Sequence, residues 1–151
     1  MNSNFEDYKR FEKQIILKKV GVSGQKKIYN AKVLIIGMGG LGCPLLTYLA
    51  ASGVGTIGIA DHDKIEISNL NRQTLFSKSD LGKLKVSQAK IKAKKINNNI
   101  TIKNYKKITT QNIKSIKKNY DIICDGTDNY ESRYLINDQC KNEKKILISA
   151  A

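Results

Sequence analysis

The chain has little with which to cross a membrane, staple itself with disulfides or cage a metal. No run of about 18 apolar residues occurs, so no segment reads as a membrane-spanning helix. The N-terminal MNSNFEDYKR also lacks the apolar centre of a secretory signal. Cys43, Cys124 and Cys140 stand apart with no C-x-x-C pair. That spacing indicates neither a disulfide framework nor a zinc site, and it fits a reducing compartment. His62 is the single histidine; it has no evident partner and reads as an ordinary loop residue. Internal repeats and separate linkers are not visible. Acid is scarce as well, 13 Asp and Glu against 27 Lys and Arg, for a net charge of +14. A basic excess marks a nucleic-acid surface when it is clustered. Here the lysines are spread over nearly every expected helix and loop without an arginine–aromatic patch. Solvated faces, or steering of an acidic protein partner, fit better than nucleic acid.

What is present is a single domain's worth of folded chain, 151 residues of which 40% are apolar. Its organising stretch runs from Val33 to Asp61. Val33–Ile36 is wholly apolar and short, as a parallel strand buried on both faces should be. Gly37-Met38-Gly39-Gly40-Leu41-Gly42 follows at once and fits G-x-G-x-x-G, in which glycines allow a tight turn and let backbone N–H groups approach a phosphate. Apolar residues at helical spacing from Leu41 to Ser52 place a helix N-terminus, with its free N–H groups, behind that loop. Gly53-Val54-Gly55 ends the helix. Thr56–Ala60 reads as a second buried strand that delivers Asp61, about 20 residues past the glycines, where a carboxylate can accept from ribose hydroxyls. Strand, loop, helix, strand and acid in this order point to a nucleotide.

Around this unit, residues 5–20 read as a partly amphipathic helix with Phe11, Ile15 and Leu17 as candidates for its buried side. Gly21 is expected to stop it, and Ser23 to cap a second short helix through Ile28. Residues 1–30 thus form a helical arm, on which Arg10 and Lys13 share a face, and residues 31–151 form the nucleotide domain. The polar stretch after Asp61 is long and irregular, and it leaves the carboxyl end of a strand, where open α/β sheets bind ligands. Asn69, Arg72 and Gln73 can project there over a nucleotide, Arg72 with a bidentate fork for phosphate. Asp80 or Ser79 is expected to cap a helix from about Leu81 to Ile96, near whose start Lys85 could reach an anion; nothing local separates Lys85 from Lys83. Ile100–Tyr105 alternates like a strand, Thr110–Lys118 reads as a short helix, and Asp121–Asp125 as a third buried strand. Gly126-Thr127-Asp128-Asn129 then turns into a helix reaching about Lys141. Asp128 or Asn129 can cap it; alternatively Asp128 holds Mg²⁺ on a triphosphate. Ile146–Ile148 begins another strand just before Ala151, so a covering C-terminal portion is expected to be missing. The alternation gives a doubly wound α/β sheet, mostly parallel, with helices on both faces.

RFEKQIIL, GMGGLGCP, ADHDKIEISNLNRQTLF, GKLKVSQAK and CDGTDN, in this order, resemble the adenylating enzymes for ubiquitin-like sulfur carriers, the ThiF/MoeB family related to the adenylation domains of ubiquitin-activating enzymes. The likeness runs from about Tyr8 to the end, and S-N-L-x-R-Q with T-D-N separates it from dehydrogenases that share only the glycine loop. It implies an E1-like Rossmann-type domain that uses ATP and Mg²⁺ to activate the C-terminal glycine of a carrier ending in Gly-Gly, of the molybdopterin-synthase small-subunit or ThiS type. It further implies that Gly39 and Gly40 approach the nucleotide and Asp61 holds the ribose. Asn69, Arg72 and Lys85 would contact phosphates, Asp128 would take the metal, and Lys13 would reach the site of a second subunit in a homodimer. Members work in a cytoplasm or, if organelle-encoded, a stroma. Lys13 replaces the family's usual arginine, and Ala150 stands where glycine is common. The later half, with a crossover segment, a zinc site of two C-x-x-C pairs and often a sulfur-transfer cysteine, has no counterpart here, so the three cysteines read as structural. The remaining alternatives are a truncated, non-catalytic nucleotide-binding or dimerisation module and an NAD-dependent oxidoreductase.

Overall fold

A computed structural model describes residues 9–150. Five strands, β1 (Lys32–Ile36), β2 (Thr56–Ala60), β3 (Thr101–Tyr105), β4 (Ile122–Asp125) and β5 (Ile146–Ser149), lie parallel in the order β3-β2-β1-β4-β5. Among the described residues these helices accompany them: α1 (Glu12–Ile15), α2 (Gly21–Asn30), α3 (Gly42–Ser52), α4 (Lys85–Ile96), α5 (Ile113–Lys117) and α6 (Tyr130–Asn142). Parallel neighbours cannot be joined by a hairpin, so a crossover is needed between each pair. The chain runs outward from β1 to β3, then returns to β4 and β5, which puts the reversal of strand order between β1 and β4.

The short apolar runs are buried on both faces because side chains alternate along a strand. Val33 and Ile35 of β1 face a core shared with Cys43, Leu46 and Ala50 of α3 and Val86, Ala89 and Ala93 of α4. Leu34 and Ile36 face the opposite core, with Ile113 and Ile116 of α5 and Ile136 and Cys140 of α6. The doubly wound expectation is therefore met. All three cysteines are buried and free. Burial pushes the Cys43 thiol up to about 12 and raises Cys124 and Cys140 as well, which suits packing and not nucleophilic work. β5 is an edge strand, and Ile146 and Ile148 are more than half exposed on it.

Several element boundaries differ from those expected. Residues 5–8 of the expected first helix lie outside the described residues. Beyond them α1 ends at Ile15, and Leu17, a candidate for the buried side, is exposed, whereas Phe11 is buried over Gly53. Gly21 does not stop a helix. It adopts φ +57°, a turn conformation costly for other residues, and begins α2, so that Ser23 lies inside the helix and caps nothing. α4 begins at Lys85, four residues later than expected, because Gly82 at φ +76° breaks the chain first. Asp80 accordingly caps no long helix. Its carboxylate accepts from the Ser77 N–H and hydroxyl, at 2.9 and 2.8 Å, and pairs with Lys92 Nζ at 2.9 Å. The buried Asp80 thus ties the long loop after β2 to the flank of α4. At the next helix Asn129 is the cap, its Oδ1 accepting from Ser132 N–H at 2.9 Å, and Asp128 is not.

Burial alone would raise the Asp80 carboxyl, but the hydrogen bonds from Lys92 and Ser77 outweigh it and bring it from 3.8 to about 2. A carboxylate whose folded value lies below its unfolded one adds stability that is complete above the unfolded value and disappears as pH falls through the folded one. Asp80→Asn is therefore expected to lower the urea midpoint at neutral pH, and to remove part of the loss of stability that the unsubstituted chain shows between about pH 4 and about pH 2. Parallel urea titrations across that range would measure both effects.

Candidate nucleotide site

At the carboxyl edge of the sheet, over the reversal of strand order, lies a cleft of about 630 Å³. Its floor is the glycine loop. Gly37, at φ +94°, has its α-carbon so close to the Gly126 carbonyl that a Cβ would come within 2.7 Å, and a Cβ on Gly42 would come within 1.9 Å of the Gly37 carbonyl. These two glycines are required by the fold itself, since backbone meets backbone there. Gly39 is different. A Cβ there would meet nothing within 4 Å and its φ is not positive, so the chain's own packing does not call for glycine. What its missing side chain leaves is open space on the cleft wall, the shape a phosphate needs to approach backbone N–H groups. Gly40 lies under the aliphatic stem of Arg72, 3.6 Å from where its Cβ would be.

The carboxylate of Asp61 closes one end. Its Oδ2 accepts from the Met38 N–H at 2.7 Å and its Oδ1 from the Asp63 N–H at 2.8 Å. A carboxylate offers about four lone-pair positions, so two bonds orient it and capacity remains for hydroxyl donors. His62 is exposed and 3.6 Å from Asp63, an ordinary loop position that also lines the cleft. Asp61, His62 and Asp63 bring three ligand atoms within 4.8 Å of one another. Both carboxylates are already engaged by backbone or lysine donors, however, and the trio is not read as a metal centre.

The long loop after β2 supplies the opposite wall. A short 3₁₀ turn, Ile67–Asn69, is locked when Glu66 N–H donates to Asn69 Oδ1 at 3.2 Å, and this buries Asn69 and carries Arg72 and Gln73 into the lining. Arg72 is exposed and steadied by the Ser68 carbonyl at 3.0 Å. Gln73 is buried, yet its Oε1 has no hydrogen-bond partner among the described residues. An unpaired buried amide oxygen is costly, and a molecule in the cleft could relieve it. Lys85, first residue of α4, separates itself from Lys83 here. Its side chain is buried, with Nζ 2.9 Å from Asp63 Oδ2, while Lys83 is exposed and donates to the Ser79 carbonyl.

From β4 the turn Gly126–Asn129 completes the site. Asp125 is buried and its Oδ1 holds Thr127 through the backbone N–H at 2.9 Å and the hydroxyl at 2.7 Å. Asp128 lines the cleft, exposed, with no hydrogen bond or ion pair among the described residues. That freedom suits a hard cation, which prefers one or two carboxylates plus ligand oxygens. The structure thus gathers Gly39, Gly40, Asp61, Asn69, Arg72, Gln73, Lys85 and Asp128 around one cleft. It does not bring Lys13 there. Gln14 donates to the Ser52 carbonyl and Phe11 packs on Gly53, so the arm sits at the amino edge of the sheet, one helix length from the glycine loop. Lys107 and Arg133 also line the cleft and were not singled out in the sequence. Arg133 falls one turn into α6, and a helical projection from the T-D-N turn would have found it.

Comparison with known proteins gives the chain relatives in sequence and in fold. The chain is 44% identical over 149 residues to an adenylyltransferase and sulfurtransferase MOCS3 of Culex quinquefasciatus, which covers 98% of this chain and 34% of that protein. It is 43% identical to a probable molybdopterin-synthase adenylyltransferase of Gracilaria tenuistipitata var. liui, covering 96% and 41%. The chain therefore spans about a third to two fifths of the length of these relatives. Among solved structures, Escherichia coli MccB crystallised with ATP superposes with a TM-score of 0.85 at 30% identity, over 99% of this chain and 45% of that one. The E. coli tRNA N6-threonylcarbamoyladenosine dehydratase TcdA with ATP shares the fold, with a TM-score of 0.90 at 22% identity over 97% and 60%. The model of the ThiF family matches residues 11–151, and the chain belongs to that family.

Proposed function

We propose that the cleft binds ATP with Mg²⁺, and that the chain is the nucleotide-binding portion of an adenylyltransferase acting on the C-terminal glycine of a ubiquitin-like sulfur carrier. The observation that carries the reading is Gly39: open space faces a glycine that the fold does not require, with Asp61 at one end and Arg72 and Lys85 beside it. The names of the relatives and the ATP in MccB support the same reading. In the reaction a carboxylate oxygen of the carrier attacks the α-phosphorus, an acyl–phosphate bond forms, the α–β phosphoanhydride breaks, and pyrophosphate leaves with the electron pair. No protein nucleophile is needed, so the task of the residues is placement and charge. Asp61 would accept from the ribose hydroxyls, the Gly39–Gly40 backbone would let the phosphates lie close, and Arg72 and Lys85 would offset charge on the oxygens. Asn69 and Gln73 offer amide groups to the same ligand. Asp128 would hold Mg²⁺, which when bound draws charge from phosphate oxygens. The residues present fit that ion because Asp128 lines the cleft and has no partner among the described residues. Lys13 would act only across a homodimer, in its partner's cleft.

Exchange of labelled pyrophosphate into ATP tests the reading. Carrier-dependent exchange is expected with a small protein ending in Gly-Gly; ATP binding without exchange would favour a non-catalytic nucleotide-binding module. Asp128→Ala should cut exchange by about 100-fold or more with the thermal midpoint unchanged, because Asn129 and not Asp128 caps α6. Lys13→Arg should leave exchange equal or raise it by about twofold, since the guanidinium fork suits phosphate at least as well as an ammonium. A large loss would mean that Lys13 does not meet phosphate in the way supposed.

A further inference from the structure

The ion pair between Asp63 and Lys85 is an unusual partnership: a lysine whose side chain is 7% exposed is held by a carboxylate that is 53% exposed, at 2.9 Å. An ion pair with one partner so open to water contributes little to stability by itself. Its geometry, however, is built from several sides. The Lys85 N–H donates to the Asp63 carbonyl at 3.0 Å, the Ile65 N–H donates to the Lys83 carbonyl at 2.9 Å, and Lys64 and Leu84 form an antiparallel bridge. The segment after β2 and the start of α4 are thereby zipped together with Asp63 and Lys85 side by side. Asp63 is also tied to the ribose end of the cleft, because its N–H donates to Asp61 Oδ1, while Asp61 Oδ2 takes the Met38 N–H of the glycine loop. One line of bonds runs from the glycine loop through two carboxylates to the lysine.

We infer that Asp63 is a positioning residue that acts through Lys85: it fixes the ammonium at the cleft wall in register with the glycine loop, where it meets the phosphates of a nucleotide. A lysine has four rotatable side-chain bonds and three donors. One donor spent on Asp63 sets where the other two point. The inference rests on the proposed ATP site. It adds that the acid two residues after Asp61 serves the phosphates and not the ribose.

The test is a double-mutant cycle on the full chain, read by calorimetric titration with ATP and, separately, with adenosine. Asp63→Asn keeps the shape of the side chain, and Lys85→Met keeps the buried stem. Asp63→Asn is expected to weaken ATP by about tenfold and to leave adenosine unchanged, and to add nothing in the Lys85→Met background. An equal loss in both backgrounds, or a parallel loss of adenosine, would mean that Asp63 acts on the fold or on the ribose end and would overturn the inference. So would unchanged or tighter ATP binding, which would make Asp63 a competitor of phosphate for the lysine. If the unsubstituted chain binds adenosine but not ATP, or neither, the proposed site itself fails, a result separate from any effect of Asp63.

Discussion

At the carboxyl end of β1 the backbone meets itself with no side chain between. The Gly37 carbonyl lies against Gly42 and the Gly37 α-carbon against the Gly126 carbonyl, while Gly37 N–H donates to Ala60 and Gly126 N–H to Ile36. Everything that forms the cleft depends on this contact. It lets α3 start directly behind the strand, with the Gly39–Gly40 backbone left at the cleft, and it draws the turn after β4 against the loop after β1. Were any of these contacts spread by a methyl group, the helix would have to retreat and the cleft floor would no longer be backbone. The glycine pattern is thus two devices interleaved. Gly37 and Gly42 serve the fold, and Gly39 leaves room for whatever lies above it.

The site assembled on this floor is balanced in charge and not simply basic. Arg72, Lys85, Lys107 and Arg133 line it together with Asp61, Asp63 and Asp128. Each acid has separate work. Asp61 clamps the glycine loop and keeps lone pairs to spare, Asp63 is bound to Lys85, and Asp128 is uncommitted. Net charge of +14 over the whole chain says little about this arrangement, because most lysines are exposed and lie away from the cleft, while Arg72 is anchored by the Ser68 carbonyl and Lys85 by the Asp63 carboxylate. Such anchoring is what allows a few charges to act at short range, where screening by salt is weakest.

Much of this was legible in advance, for physical reasons. A strand buried on both faces must read as a short apolar run, and a parallel crossover must supply a helix, so Val33–Ile36, the helix to Ser52, and Thr56–Ala60 were recognisable from period and length alone. Boundaries governed by tertiary contacts were not. α4 begins at Lys85 because Gly82 turns the chain and Asp80 is drawn away to Ser77 and Lys92. Leu17 is exposed because the arm's hydrophobic contact is made by Phe11 on Gly53, a choice that helical periodicity cannot express.

By itself the sequence determined the alternation of strands and helices, the glycine loop, the acid at the end of β2 and the motif set that relates the chain to its family, since each is a local pattern imposed by backbone geometry or by side-chain period. Only the tertiary structure decided which of two nearby lysines enters the cleft, that Asn129 and not Asp128 caps α6, that Asp63 belongs to Lys85, and that Lys13 lies at the far edge of its own sheet. The cap is a choice between two adjacent residues of like capacity, but the lysine, its acid and the place of the arm depend on groups brought together across tens of residues. Such pairings are set by how the long loop after β2 folds back on α4, and no local propensity encodes that.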